Sequence, residues 1–515
     1  MLPYNKLYSQ YKKLYLNYLN KTTSILNNYH GKQYDKNYWE PIIGLYLRRF
    51  ILNFILLNKI KKKNLFKKAN ERNASFYKNY SEFVDDNDFK KFSSRYFLKL
   101  KNIDKHKHYQ TKKIDFLSNI INTIKTILPN ILVKLKITHV FFQESYFKKN
   151  LKTLFSLKSL YYLNSLPTLK LENYKIDKKK IFQNRLNLIK IYETKNIKDH
   201  LLNNIIFNMP INYIENYKVI STEVKKFSLS NAIYIDGNEV KFDYIKFYIA
   251  ELILNKKKIF TGQHSLRSGI EDFDVYFDYS KSISNYYLTW GWNDKLSSIN
   301  KYSSSRVFSS LSKYKKVKNI ENEKLNICFI LSSLSRTSDC LADNYLENLK
   351  AEKSRISLLK NVKKQNKIKI ALKSRRGSFL LEHKKKFYNK FNILKDKTRM
   401  YEIFGNFNII IFERISLGIA ECIHLNQPTI FYYPKNLYKQ KNKKYNELLY
   451  LLKKANIYFD DKNKMLQLLI NSKENLSLWW DNKQNLENRK KFLKEFANSF
   501  RYSDLSELKK LVSKF

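Results

Sequence analysis

The chain has 515 residues, of which 43% are hydrophobic and 15% aromatic. That is enough for two or three domains with sizeable cores, and it excludes a largely disordered protein. The formal net charge of +53 would suit nucleic acid, but the Lys and Arg residues are spread along the whole chain. We therefore interpret the charge as a compositional bias toward Lys, Asn and Ile, and expect no specific nucleic acid partner. Such a surface still favours anionic lipids and anionic substrates.

The cysteines and the apolar runs indicate a compartment. Cys328, Cys340 and Cys422 are odd in number and far apart, which argues against a disulfide framework or a structural zinc site and fits a reducing environment. The N-terminus lacks the apolar core of a signal peptide, and the apolar run at residues 51–57 is too short to span a bilayer. We predict a cytoplasmic protein with peripheral contact to anionic lipid at the inner face of the membrane.

The first half of the chain changes from helical to alternating patterns. Residues 1–128 have apolar side chains at three- and four-residue spacing, which predicts a helical N-terminal extension. Residues 129–295 alternate between short apolar runs and helical stretches, which predicts βαβ units and a parallel sheet. The strands expected in this first, acceptor-side domain are 137–142, 218–221, 232–235, 257–261 and 286–289, with a helix at 241–254.

A polar stretch at 296–323 predicts a linker, after which the alternation restarts over 324–482. The strands expected in this second domain are 326–331, 367–372, 408–412, 428–432 and 456–459, and the helices are 341–364, 416–425, 445–454 and 462–470. Residues 483–515 are predicted to be C-terminal helices. Two α/β halves of this kind make a cleft between domains the default ligand site.

One candidate functional residue of the first half is His264. It follows the apolar residues 259–260, and ligands of open α/β sheets bind where strands end. An imidazole there could act as general base toward an acceptor hydroxyl or contact a phosphate, since its ordinary pKa near 6.5 allows both roles. The alternative is a loop histidine that bonds only to backbone.

The second half offers candidates for binding an activated donor. Arg375 follows the predicted strand 367–372, and a guanidinium there suits a diphosphate, although a surface arginine is unremarkable in so basic a chain. Ser416 stands at the start of a predicted helix, whose free N–H groups and dipole favour a phosphate. Glu421, further along that helix, could accept hydrogen bonds from two ribose hydroxyls or could simply face solvent.

This second-half pattern resembles the nucleotide-binding half of GT-B glycosyltransferases. More narrowly, the chain is similar to bacterial putative transferases of surface carbohydrate biosynthesis, which are related to CDP-glycerol glycerophosphotransferase-like proteins. The motifs that carry the resemblance run nearly end to end: Tyr38-Trp39, Ile43-Gly44, Glu144-Ser145-Tyr146-Phe147, Gln263-His264, Tyr287-Leu288-Thr289-Trp290-Gly291-Trp292, Glu421, Pro428-Thr429 and Trp479-Trp480. The resemblance implies an α/β, GT-B-like fold of two Rossmann-like domains facing a cleft. It also adds Thr429 to the donor-binding candidates, and Gln263 and Glu144 to the candidates for lining the cleft.

The chain departs from the family pattern at three places. Ser265 stands where the family has glycine after Gln-His, Asn285 where it commonly has Asp, and Leu417 where it has a second small hydroxyl residue. The string Asp272-Phe273-Asp274 matches the short D-x-D pattern of metal–nucleotide sites, but it lies in an acidic loop, and we predict no required metal. The absence of G-x-G-x-x-G and Walker A sequences weakens dinucleotide and P-loop interpretations.

These observations predict a metal-independent, glycosyltransferase-like enzyme with no cofactor beyond its nucleotide-activated donor. It would move a glycosyl or polyol-phosphate group from a nucleotide-sugar or similar donor to a carbohydrate or lipid-linked acceptor. Two alternatives stay open. One is a non-enzymatic basic protein that binds nucleic acid by stacking and phosphate contacts, and the other is a degenerate relative that binds nucleotide without turnover.

Overall fold

The computed structural model describes residues 4–61, 78–80, 83, 131, 134, 140–143, 162–164, 178–193, 199–236, 242–293, 299–301, 324–331, 345–373, 385–394, 400–472 and 475–498. The helices are α1 (Tyr4–His30), α2 (Lys36–Lys61), α3 (Lys178–Glu193), α4 (His200–Asn208), α5 (Tyr217–Lys225), α6 (Asp243–Leu254), α7 (Val275–Ile283), α8 (Tyr345–Lys363), α9 (Lys385–Tyr388), α10 (Met400–Ile403), α11 (Leu417–His424), α12 (Lys443–Lys454), α13 (Lys462–Ser472), α14 (Leu476–Trp480) and α15 (Lys483–Phe496). The strands are β1 (Val140–Gln143), β2 (Tyr162–Asn164), β3 (Ala232–Asp236), β4 (Lys258–Gly262), β5 (Tyr286–Thr289), β6 (Ile299–Lys301), β7 (Leu325–Ile330), β8 (Ile368–Lys373), β9 (Asn392–Ile393), β10 (Ile409–Phe412), β11 (Thr429–Tyr432) and β12 (Tyr458–Phe459).

Two six-stranded sheets organise the described part of the chain. The first has the order β2-β1-β3-β4-β5-β6 and the second the order β12-β11-β10-β7-β8-β9. Neighbouring strands of the second sheet are all parallel, as are β2, β1, β3 and β4 of the first. All four residues of β10 and of β11 are buried, as expected for a parallel sheet covered by helices on both faces. The predicted α/β fold with two parallel sheets and a helical N-terminal region is confirmed.

Contacts divide the chain into two compact units. The first contains Met1–Ser145, Asn150–Gly262 and Val275–Tyr287, and the second contains Tyr146–Lys149, Gln263–Asp274 and Leu288–Phe515. The segment Gln263–Asp274 therefore belongs by its contacts to the second unit, although in sequence it interrupts the first. No helix in the described ranges combines the length and apolarity needed to cross a membrane.

One local prediction is corrected by the structure. Residues 218–221, predicted to be a strand, lie in helix α5, whose buried residues Tyr217, Ile220, Ser221 and Val224 follow helical spacing. Four residues are too few to distinguish a strand from a turn of helix, and here the buried residues follow the helical period of 3.6.

Candidate functional site

The topology of the second sheet locates a ligand-binding edge. The chain builds β7, continues outward through β8 and β9, and then returns to place β10 on the other side of β7. The carboxyl ends of β7 and β10 therefore form the switch point where ligands of open α/β sheets bind. Strand β10 ends at Phe412, and helix α11 begins only five residues later, at Leu417.

Helix α11 begins close against the end of β10. Ser416 is its N-cap in an extended conformation and makes no side-chain capping bond. A Cβ atom on Gly418 would lie 2.7 Å from Cε1 of Phe412, so only glycine lets the helix start this near to the strand. The Ile419 amide donates to the Ser416 carbonyl at 3.1 Å, and the Leu417 and Gly418 amides before it have no carbonyl one turn back within the helix. Together with the helix dipole, they suit a phosphate group.

Glu421 lies on the one face of α11 that does not enter the core. Leu417, Glu421 and His424 are all partly exposed at a spacing of four and three residues, whereas Gly418, Ile419, Ala420, Cys422 and Ile423 are buried. Among the described residues, no hydrogen-bond donor or cation pairs with the Glu421 carboxylate. Burial raises its pKa to about 7. A desolvated carboxylate left without a partner costs free energy and is therefore a candidate for binding a ligand.

Two contacts fix the turn that leads into α11. Glu413 pairs with Arg355 of α8, both side chains being buried, and Arg355 Nη1 also donates to the Tyr388 hydroxyl at 3.3 Å. Arg414 donates to Asn348, about two turns before Arg355 on α8. The charged residues before Ser416 thus hold the backbone of the site. Sequence reasoning missed this pair because its partners lie 58 residues apart.

Of three further predicted donor-side and cleft residues, the structure describes only Thr429. Thr429 is fully buried, and its hydroxyl donates to the Ile410 carbonyl at 2.9 Å. It is the first residue of β11, about 10 Å from the carboxyl end of the strand. Its hydroxyl therefore bonds within the sheet, away from the edge where ligands bind. Arg375 and Glu144 lie outside the described residues. Their preceding strands, β8 and β1, end at Lys373 and Gln143.

Gln263 is buried and connects two stretches of the second unit. Its Oε1 accepts the Trp290 amide at 2.7 Å and the Trp292 indole N–H at 2.9 Å. Its Nε2 donates to the Ser265 carbonyl at 2.8 Å. The side-chain amide therefore serves the fold, and the Trp-Gly-Trp motif is part of the same structure. The neighbouring His264 is partly exposed.

The D-x-D string is used by the protein itself. Asp272 is fully buried, and its carboxylate accepts hydrogen bonds from the Tyr438 hydroxyl and the Lys441 and Asn442 amides at 2.8, 2.6 and 3.0 Å. Asp274 accepts the Gly269 amide at 3.0 Å. No group of three or more His, Cys, Asp or Glu side chains within the described ranges could hold a metal ion.

Comparison with known proteins identifies a family. The model of the LIC12162 family transferase matches residues 4–511, whereas no curated protein matches the sequence. Among solved structures, S. aureus MnaA with UDP aligns with a TM-score of 0.42 at 9% identity, over 73% of this chain and 96% of that one. Methanocaldococcus jannaschii UDP-GlcNAc 2-epimerase with UDP-GlcNAc and UDP has a TM-score of 0.40 at 12% identity, over 73% and 99%. Anabaena HepE with UDP and glucose has a TM-score of 0.38 at 9% identity, over 73% and 100%.

Proposed function

We propose that this chain, which belongs to the LIC12162 family of transferases, moves a glycosyl or polyol-phosphate group from a nucleotide-activated donor to a carbohydrate or lipid-linked acceptor. The observation that carries the proposal is the desolvated carboxylate of Glu421, which is unpaired among the described residues and lies about one turn beyond the start of α11, at the switch point of the second sheet. The four residues from Leu417 to Glu421 rise about 6 Å along the helix axis, which is comparable to the distance between the ribose hydroxyls and the diphosphate of a nucleotide.

Each part of the donor has a candidate partner. The Glu421 carboxylate accepts the two ribose hydroxyls, which supply the hydrogen bonds that it lacks among the described residues. The first-turn amides of α11 and the Ser416 hydroxyl bind phosphate, and Arg375 adds a guanidinium from the segment after β8. Fixed donors of this kind stabilise the charge of the departing nucleotide without a metal ion. His264 acts as base or phosphate ligand, and the basic surface of the chain allows contact with an anionic membrane.

Titration calorimetry with UDP, GDP and CDP tests the proposal. We expect at least one nucleotide to bind the wild-type protein and Glu421→Gln to lose about tenfold or more in affinity, since hydrogen bonds to a charged acceptor are lost. The matched control is Glu447→Gln on α12 of the same unit, where the carboxylate is exposed and pairs with Lys444. No binding by any of the three, or equal binding by Glu421→Gln, would contradict the assignment.

The pH dependence of binding provides an independent signature of the same carboxylate. Only ionised Glu421 accepts both ribose hydroxyls, and burial raises its pKa to about 7. The affinity for the nucleotide should therefore fall about tenfold from pH 8 to pH 6, because the fraction of protein with an ionised Glu421 falls by that factor. Glu421→Gln should lack this component, whereas any change that arises from the nucleotide's own phosphate persists in the variant. Release of free nucleotide from UDP-, GDP- or CDP-linked donors then distinguishes a transferase from a binding protein without turnover.

A further inference from the structure

The segment Gln263–Asp274 is anchored to the second unit at both of its ends. At its start, the Gln263 amide N–H donates to the Leu288 carbonyl at 2.8 Å, and the side chain bonds to Trp290 and Trp292. Near its end, Asp272 bonds to residues 438–442. His264 lies between these two anchors, so its position is set by what holds the segment.

The Asp272 anchor consists of four hydrogen bonds. Three donors meet its carboxylate, from Tyr438, Lys441 and Asn442, and its own amide donates to Gln440 Oε1 at 2.7 Å. Asp272 and Gln440 are both buried. Water cannot readily replace these bonds, so loss of the carboxylate leaves buried donors unsatisfied.

Residues 433–442 lie at the same edge of the sheet as the nucleotide site. They follow β11 directly, and the carboxyl ends of parallel strands share one edge. A second carboxylate, Glu347 of α8, accepts the Tyr438 amide at 2.7 Å. The loop is thus held between α8 and Asp272, and it is a fixed surface rather than a free one.

The segment between His264 and Asp272 is internally connected. The Ser268 amide donates to the Ser265 carbonyl at 3.0 Å, and the Gly269 amide donates to Asp274 at 3.0 Å. Leu266 and Ile270 are fully buried. A displacement at Asp272 is therefore transmitted toward His264 instead of being absorbed by a flexible loop.

From these contacts we propose that Asp272 is a positioning residue that holds His264 on the nucleotide-binding unit, where the imidazole contacts the donor's phosphates. The inference rests on the proposed function and selects one of the two roles open to His264. It also assigns the D-x-D string a purpose other than metal binding, since every Asp272 oxygen already has a backbone or hydroxyl donor.

Hydrogen exchange tests the anchor without any ligand. In Asp272→Asn, one acceptor oxygen becomes an NH2 group that faces amide donors, so peptides covering 263–274 and 438–442 should exchange faster together. Asp274→Asn is the matched control, because it keeps all four Asp272 bonds and should leave 438–442 unchanged. Tyr438→Phe, which removes one bond and no charge, should give a smaller effect of the same pattern. Unchanged protection in Asp272→Asn would overturn the anchor.

Nucleotide binding tests the role of His264, using whichever of UDP, CDP or GDP the wild-type protein binds. His264→Ala and Asp272→Asn should each lower affinity for the diphosphate about tenfold but leave affinity for the parent nucleoside unchanged. The double variant should lose no more affinity for the diphosphate than His264→Ala alone, because both substitutions remove the same contact. Losses that add, or equal losses for nucleoside and diphosphate, would overturn the proposal. If the wild-type protein binds none of the three nucleotides, the proposed function and the phosphate contact fail, and the exchange experiment still decides the anchor.

Discussion

Two desolvated carboxylates, one in each unit, have opposite surroundings. Glu40 of α2 accepts hydrogen bonds on Oε1 from Tyr15, Arg48 and Ser282, the last at 2.7 Å, so its charge is paired with a cation and with two hydroxyls. Glu421 of α11 is desolvated and has no such partner among the residues described. A charge that stabilises a fold is paired where it is buried, because an unpaired one is costly. This contrast makes Glu40 part of the architecture and supports the proposal that Glu421 binds a ligand.

The surroundings of Glu40 also explain one family motif. Arg48 lies over the Tyr15 ring with 3.8 Å from guanidinium carbon to centroid. A side chain at Gly44 would begin 3.0 Å from the Tyr15 hydroxyl and 3.2 Å from Glu40 Oε1. The packing of α1 against α2 thus requires a residue without a side chain at Gly44 and the ion pair between Arg48 and Glu40 beside it. The Ile43-Gly44 motif therefore has a structural role in the packing of α1 and α2.

The largest expected effect comes from breaking the paired charge. Arg48→Met leaves Glu40 buried without a cation, and we expect the free energy of unfolding to fall by about 3–5 kcal/mol. Urea unfolding measures it. The control is Lys226→Met, which breaks an exposed pair with Glu223 and should change stability by less than about 0.5 kcal/mol. A loss for Arg48→Met no greater than the control's would contradict the contrast between the two carboxylates.

Replacing Glu421, which has no partner among the described residues, should stabilise the protein, whereas Arg48→Met destabilises it. The pKa of Glu421 is raised from 4.5 to about 7 in the folded protein, so the folded state binds the extra proton between these values. Stability from this group is full below pH 4.5 and is lost as pH rises through 7. Glu421→Gln should therefore raise the free energy of unfolding at pH 8 by up to about 3 kcal/mol, and change it little at pH 5. Destabilisation at pH 8 would show that Glu421 has a structural partner.

The close start of α11 gives a smaller effect. Gly418→Ala places a Cβ atom 2.7 Å from Phe412 Cε1, and we expect a loss of about 1–3 kcal/mol from overpacking. Nucleotide affinity should fall as well, because the helix start moves. Adding Phe412→Leu relieves the contact and should restore part of both losses. If the effects of Gly418→Ala and Phe412→Leu on stability simply add, the contact between these two residues does not determine where the helix begins.

The smallest effect is expected at a departure from the family pattern. Asn285 Oδ1 accepts the Ile259 amide at 2.9 Å, and the Asn285 amide donates to the Ile259 carbonyl at 2.9 Å. Asp provides the same acceptor, so Asn285→Asp should change the unfolding free energy by less than about 0.5 kcal/mol. Asn285→Leu removes the acceptor and should cost about 1–2 kcal/mol. Equal effects of the two substitutions would exclude this hydrogen bond as the reason for a polar residue here.

Much of the second sheet could be predicted because its strands are apolar runs that end at polar residues. The run at 408–412 became β10, and Ser416 and Glu421 follow it on a helix as predicted. The stretch 218–221 failed because four residues do not separate a strand from a turn of helix. Glu421 was found by its place after a strand and helix start, but sequence left it equally consistent with an ordinary solvent-facing carboxylate.

The sequence by itself determined the class of structure and the segment that carries the nucleotide-site candidates, since hydrophobic period and strand-end polarity are local properties. Only the tertiary structure decided which charges are paired. Glu413 finds Arg355, and Asp272 finds residues 438–442, over sequence separations that no local pattern records. Pairing and desolvation depend on which side chains meet in space. For that reason only the structure shows that Asp272 of the D-x-D string bonds to residues 438–442, and that Glu421 has no partner in the described part of the chain.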